Sequence, residues 1–302
     1  TDGSKVTNLA TQEGEVVKLY AIYVDETKPV CTFQESLKTT VNKSENITLV
    51  CTDLGSGVKS VNLSTSNFTV SNSNGSVTSV TSPTAVTNGY KYVITTKGLS
   101  VGEYTISLKS GSISDNAGNS NDVVTSSPIK VEGITYTATF TKNGTGVASI
   151  GSTSASCTTT GSNTECSVTA PAINVSSGYT AVGWNTTSTA TSGVAVGGAI
   201  TLSKNTTYYS IASKKITITF NKNGAASQTV KGGSASTANT VTQSCTMYNS
   251  ETSCSITSPT IAGSTNTPTV IGYSTAASTH SSSWNQNTSK NVSSNATYYA
   301  QT

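Results

Sequence analysis

The chain has 302 residues, enough for two or three domains. Only 34% are hydrophobic and 10% charged, where globular chains have roughly 45–50% (with Gly) and about 25%, so solubility rests on hydroxyls and amides. All 17 basic residues are Lys and the net charge is only +3; this thin charge, without the bidentate fork of Arg, excludes nucleic acid as a partner.

Residues 1–24 carry an alternating stretch, VVKLYAIY, and read as the back half of a β repeat module whose opening strand is missing. Such a half-module exposes strand edges. Either the chain is cut from a longer protein, or a neighbouring chain supplies the missing strands and builds a head-to-tail filament by strand complementation.

Residues 25–133 form a second module type. The runs VCTF, NITLVC, VKSVNLS, NFTVSN, YKYVITT, GEYTISLKSG and PIKVE are rich in Val, Ile, Thr and Tyr, and LGSG, SNSNGS and DNAGN punctuate them. About seven short strands over roughly 100 residues predict an Ig-like β-sandwich.

Residues 134–213 and 214–302 share one ordered set of landmarks. Each opens on an alternating strand ending in Lys-Asn-Gly, ITYTATFTKNG and then KITITFNKNG. Each then has two Cys with eight residues between them, a Pro (Pro171, Pro259), a Gly-Tyr pair and a closing Thr-Tyr-Tyr strand. A period of this kind built from strands predicts modules joined in a row, an all-β chain with no amphipathic helix. Acids nearly vanish here: only Glu165 and Glu251 follow Gly133, against seven Lys.

The six Cys fall as Cys31 with Cys51, Cys157 with Cys166, and Cys245 with Cys254. With His280 as the only His, four-ligand zinc sites cannot be assembled. Disulfides are the expected state, and they imply an oxidising, extracellular setting. In CTTTGSNTEC and CTMYNSETSC the Cys flank a turn-rich octet. Two hairpin strands would set each pair face to face at bridging distance. No apolar stretch reaches the roughly 18 residues of a membrane span, so no membrane insertion is expected of this segment.

On these residues two resemblances stand. CTDLGSGV, GLSVGEYTISL and DNAGN resemble the bacterial Ig-like domains of surface proteins. TATFTKNG, GYTAVGW and NTTYYS, with TITFNKNG and NATYYA in the last copy, resemble the Listeria–Bacteroides repeat of internalin-type and other cell-surface proteins. In the last copy the middle motif reads VIGYST, and Tyr273 stands where the family has Trp after Gly. The resemblance implies a compact β-grasp-like fold and a place in surface adhesins and multidomain stalks.

Chemistry-bearing constellations are few. Gly98-Leu99-Ser100-Val101-Gly102 fits G-x-S-x-G, but a strand follows it where a nucleophile elbow needs a helix, so it reads as a turn. Asp53, Asp115 and Asn119, with Asn116 and the linker acids Asp25 and Glu26, could supply oxygens to calcium; the same residues cap turns through Asx bonds. Trp184 reads as core, whereas Trp284, in SSSWNQN, reads as an exposed contact residue. In Tyr208-Tyr209 and Tyr298-Tyr299 strand neighbours alternate, so one of each pair faces outward, with Tyr209 and Tyr299 the candidate contacts. The expected function is a non-enzymatic extracellular stalk, adhesin or fibre segment of a bacterial surface protein. Its expected partners are other modules of the same or a neighbouring chain, a glycan or a host surface protein.

Overall fold

The structure, a computed structural model, describes residues 12–18, 20, 24–34, 38–41, 43–71, 74–266 and 269–301. Among these residues lie 27 strands and one 3-10 turn, Thr65–Asn67, so the chain is all-β, as its periodicities require. Among them no helix is long and apolar enough to cross a membrane. The half-module expected at residues 1–24 falls largely outside the described residues; its described residues, 12–18, 20 and 24, carry no strand.

The chain divides into two compact units, Thr1–Gly133 with Thr160–Asn163, and Ile134–Thr159 with Thr164–Thr302. In the first, one sheet takes the order Val30–Gln34, Glu45–Thr52, Gly89–Lys97, Ser76–Val80, and Thr84–Val86 also pairs with Gly89–Lys97. Two three-stranded sheets accompany it: Val124–Thr125, Ile106–Leu108, Phe68–Val70, and Lys38–Thr40, Ile129–Glu132, Gly102–Tyr104. Period-2 alternation sets what is buried: Ile47, Leu49 and Cys51 on one strand, Tyr92 and Ile94 on the next, and Ile106 and Leu108 on a third. VKSVNLS is not a strand. Val58 makes only an isolated bridge to Asp115, and the Val61 carbonyl accepts the Tyr92 hydroxyl at 3.0 Å. Its apolar residues, Val58, Val61 and Leu63, do not hold a period of two.

In the second unit the two repeats are welded by one strand. Thr206–Asn221 runs unbroken for 16 residues, closing the first repeat and opening the second. The boundary read at 213/214 falls inside it. The reason is local: YYSIASKKITITF holds no Gly, Pro, Asn or Asp to turn the chain. Ser210, Ile211 and Ala212, three consecutive residues at the weld, are all buried, so both faces of the strand are covered there.

Each repeat then uses the same pairings. The opening strand lies parallel to the closing strand, as Thr135–Thr141 does to residues 206–209 and residues 218–221 do to Ala296–Gln301. The Cys-bearing strand pairs antiparallel with the opening strand, Ser154–Thr158 in one repeat and Thr240–Tyr248 in the other. The Gly-aromatic strand pairs antiparallel with the closing one, Thr180–Asn185 and Gly272–Ser274. The result is a seven-stranded sheet. Parallel neighbours need a long crossover. Here it is supplied by small two- and three-stranded sheets such as Cys166–Thr169 with Ala199–Leu202, and Cys254–Thr257 with Ser289–Val292.

The aromatic cores are variants of one plan. In the first repeat Trp184 stacks edge-on to Phe140 at 4.9 Å and bridges Val194 across the sheet. In the second, the Trp184 position is Tyr273 and the Val194 position is Trp284. Tyr273 and Trp284 both pack against Phe220, at 4.8 and 5.3 Å. The glycine before each aromatic, Gly183 and Gly272, has φ of 149° and 143°. A Cβ there would lie 2.3 Å from the Val194 carbonyl oxygen or 2.7 Å from that of Trp284, so only glycine lets the strands approach.

Candidate functional site

All three disulfides form: Cys31–Cys51, Cys157–Cys166 and Cys245–Cys254. Cys31 and Cys51 face each other on paired strands, with Cα atoms 4.0 Å apart. The other two are not cross-strand pairs of a hairpin, contrary to the sequence reading. Cys157 pairs opposite Tyr136 in the large sheet, while Cys166 pairs opposite Leu202 in a small sheet. Cys245 and Cys254 repeat this, opposite Ile216 and Val292. Each octet folds as a turn that carries the chain from one sheet to the other, so each bond ties two sheets of a repeat.

Trp284 is the second correction. It is 4% exposed, its indole N–H donates to the Thr288 carbonyl at 2.9 Å, and its ring meets Tyr298 at 5.1 Å. The Lys290 ammonium lies 5.5 Å from the ring centre. Tyr273 stands where the first repeat has the larger Trp184, and Trp284 packs with it against Phe220. The Ser-rich context suggested exposure because composition does not reveal which loop folds back over a core. A buried Tyr also needs a partner for its hydroxyl: Tyr273 donates to Gln228 Oε1 at 2.9 Å, and Gln228 donates to the Phe220 carbonyl at 3.2 Å. Burial pushes the Tyr273 hydroxyl well above its ordinary value. Tyr208 and Tyr298 take the core side of the closing strands; Tyr209 and Tyr299, their neighbours, are half-buried on the other face.

The acids do converge. Carboxylate oxygens of Asp25, Asp53 and Asp115 all lie within 4.8 Å of one another, though the three residues span ninety positions of sequence. Asp53 and Asp115 are buried. Donors surround them. Asp25 accepts the Thr27 amide at 3.0 Å, the Thr27 hydroxyl at 2.5 Å and the Ser56 amide at 2.7 Å. Asp53 accepts the Gly57 amide at 2.9 Å and lies 3.1 Å from the same Thr27 hydroxyl. Asp115 accepts the amides of Gly118 and Asn119 at 2.6 and 2.7 Å and the Asn119 side-chain amide at 2.8 Å. Asn119, expected as an oxygen ligand, thus acts as a donor, and it also bonds the Asp25 carbonyl at 2.9 Å. Glu26 is exposed and Asn116 donates to the Ser56 and Gly57 carbonyls. The Thr27 bonds, then those from Ser56, hold the Asp25 carboxyl far below its ordinary value. Burial acts to raise Asp115, but the Asn119 and Gly118 bonds outweigh it and hold that carboxyl low as well. The three carboxylates have the donor chemistry of a hard divalent cation; five of their six oxygens accept a protein donor of their own, and the sixth, Asp53 Oδ1, shares the one Thr27 hydroxyl proton with Asp25.

One cleft lies within the second unit, between its repeats, with a volume of about 360 Å³. Asn143, Ser188, Thr189, Tyr248, Asn249 and Glu251 line it. Asn143 and Asn249 both donate to the Ser188 carbonyl, at 2.7 and 3.3 Å. This cleft has no local signature in the chain, because it exists only where the Lys-Asn-Gly turn of one repeat meets the Cys-flanked octet of the next.

No family model matches the chain. No curated protein matches it. Among solved structures it is similar to the SrpA adhesin from Streptococcus sanguinis, at 16% identity and a TM-score of 0.24, over 37% of this chain and 60% of that one. The chain thus spans under two thirds of that structure.

Proposed function

We propose that this chain is a non-enzymatic, extracellular segment of a bacterial surface protein, serving as a stalk or adhesive fibre section. The observation that carries the reading is the strand Thr206–Asn221, which makes two repeats one continuous sheet. A load applied along such a strand is shared by the ladders on both its sides, with no slack linker to extend first. The disulfides within each repeat limit how far a ruptured repeat can lengthen. Three disulfides also fit an oxidising compartment. The repeat and Ig-like resemblances in the sequence point the same way.

Single-molecule pulling tests it. The two repeats are expected to rupture in one cooperative event at high force. Two separate low-force events would overturn the reading. In this reading the Asp25–Asp53–Asp115 junction is a hydrogen-bonded clamp, and its thermal melt is unchanged by a chelator; a melt raised by added calcium would instead make it a cation site.

A second reading, adhesion to a glycan, is favoured by the inter-repeat cleft, whose amides, hydroxyls and single carboxylate suit a sugar's hydroxyls. A glycan array in which any hit survives in both Glu251→Ala and Thr189→Lys would remove that cleft as the binding site.

A further inference from the structure

Among the described residues, Thr240–Tyr248 is the longest strand of the second unit with a partner on one side alone: it pairs with residues 213–221 and with no other described strand. Which of its backbone groups face outward follows from its neighbours. Ser244 lies opposite Thr217, and the Thr217 amide points the other way, donating to Asn295 Oδ1 at 2.8 Å. Thr217 and Ser244 are therefore a non-hydrogen-bonded pair, and the amide and carbonyl of Ser244 point away from the sheet. The flanks agree with this parity. Asn249 donates inward to the Ala212 carbonyl at 2.9 Å, and the Asn239 carbonyl accepts inward from Lys222 at 2.9 Å. Tyr248, of the outward set, turns its amide to Glu251 Oε2 at 2.7 Å instead. Thr242, Ser244 and Thr246 thus present three amides and three carbonyls along an open edge, and their side chains are exposed.

Sheet edges are ordinarily guarded by Lys, Pro, a bulge or a very short strand. TVTQSCTMY has none of these guards: no charge, no Pro, nine residues and a regular register. The equivalent edge in the first repeat differs. Ser154–Thr158 has five residues, and the Ser152 hydroxyl bonds both the Ser154 carbonyl at 2.6 Å and the Ser154 amide at 3.3 Å, capping its start.

We propose that this edge pairs with the same edge of a second copy of the chain, antiparallel about a two-fold axis at Ser244. The occupant is argued from self-complementarity. The two-fold sets Ser244 against Ser244 and Thr242 against Thr246, and each of these is an outward residue facing an outward residue. That is the requirement for an antiparallel ladder, and the three facing pairs exchange about six hydrogen bonds. On the exposed face hydroxyl faces hydroxyl across the axis. On the other face Val241 meets Met247. No like charges oppose one another across the three facing pairs, since Thr242, Ser244 and Thr246 are all uncharged. The interface is isologous, so it closes at two copies. It does not depend on the stalk reading and would stand if that reading failed.

The test is sedimentation of the full chain from micromolar to millimolar concentration, with amide exchange followed residue by residue. The wild type is expected to dimerise. The amides of Thr242, Ser244 and Thr246 become protected as the dimer fills, while those of Val241, Gln243, Cys245 and Met247 are protected throughout. Ser244→Lys sets two ammonium groups at the axis and abolishes the dimer. Ser244→Pro removes only the outward amide, spares the ladder to residues 213–221, and has the same effect. A wild type that stays monomeric at millimolar concentration overturns the proposal. So does a dimer in which those three amides exchange freely, or one that persists in a folded Ser244→Lys chain.

Discussion

Replacing Trp284 by Ala separates two descriptions of the second unit. Trp284 is 4% exposed and touches Phe220 and Tyr298. Its truncation removes a large buried aromatic, which costs about 3–5 kcal/mol, whereas an exposed loop residue would cost within about 0.5 kcal/mol. With a urea slope of about 2 kcal/mol per molar, that is a midpoint shift of roughly 1.5–2.5 M. The chain has two Trp, so in Trp284→Ala the fluorescence of Trp184 alone reports, and it reports the first repeat. Because residues 206–221 belong to both repeats, loss of the second repeat strips the partners Thr240–Tyr248 and Ala296–Gln301 from that strand. The Trp184 transition is therefore expected to move down in urea with the circular-dichroism transition. A Trp184 midpoint that stays at its wild-type value while circular dichroism shows a separate early step would refute the shared-strand reasoning, since the repeats would then unfold alone.

Three further outcomes are expected. Removing the Cys245–Cys254 bond by a double Ser substitution lowers stability by about 2.5–3 kcal/mol on chain-entropy grounds for a loop this short, measured by urea unfolding against an unreduced control; no change would mean that the bond does not constrain the unfolded chain. Tyr273→Phe leaves Gln228 Oε1 buried without its donor, costing about 1–3 kcal/mol, and a Gln228→Leu, Tyr273→Phe double variant recovers part of it in the same assay. Asp25 and Asp115 are both held below ordinary carboxylate values. Their contribution is thus complete above the unfolded value of about 3.9 and is lost as pH falls through the folded values. The melting temperature of wild type is expected to exceed that of Asp115→Asn at neutral pH, with the gap closing below about pH 4; a gap independent of pH would deny that ionisation matters.

Some of this architecture is written locally. Alternation in ITYTATFT or NITLVC gives strands because a pleated chain with one wet face needs that period. The matching order of Cys, Pro, Gly-aromatic and Thr-Tyr-Tyr gives two copies of one unit, and an even Cys count without spare His gives disulfides. The weld at 206–221 was read instead as a boundary at 213/214, because equal repeats suggest separate modules, although no turn residue stands between YYS and KIT.

Other features had no local signature. Pairing of a first strand with a last one, as Phe140 with Tyr208, joins residues far apart in sequence, and nothing in either segment names the other. The same holds for the meeting of Asp25, Asp53 and Asp115, for the Cys bonds that cross from sheet to sheet, and for Trp284, whose Ser-rich surroundings conceal the Tyr273 it accommodates. Periodicity fixes which face of a strand is apolar. Which apolar faces then meet is settled by volume and by the unspent hydrogen bonds of the whole fold, and these exist only once distant segments have come together.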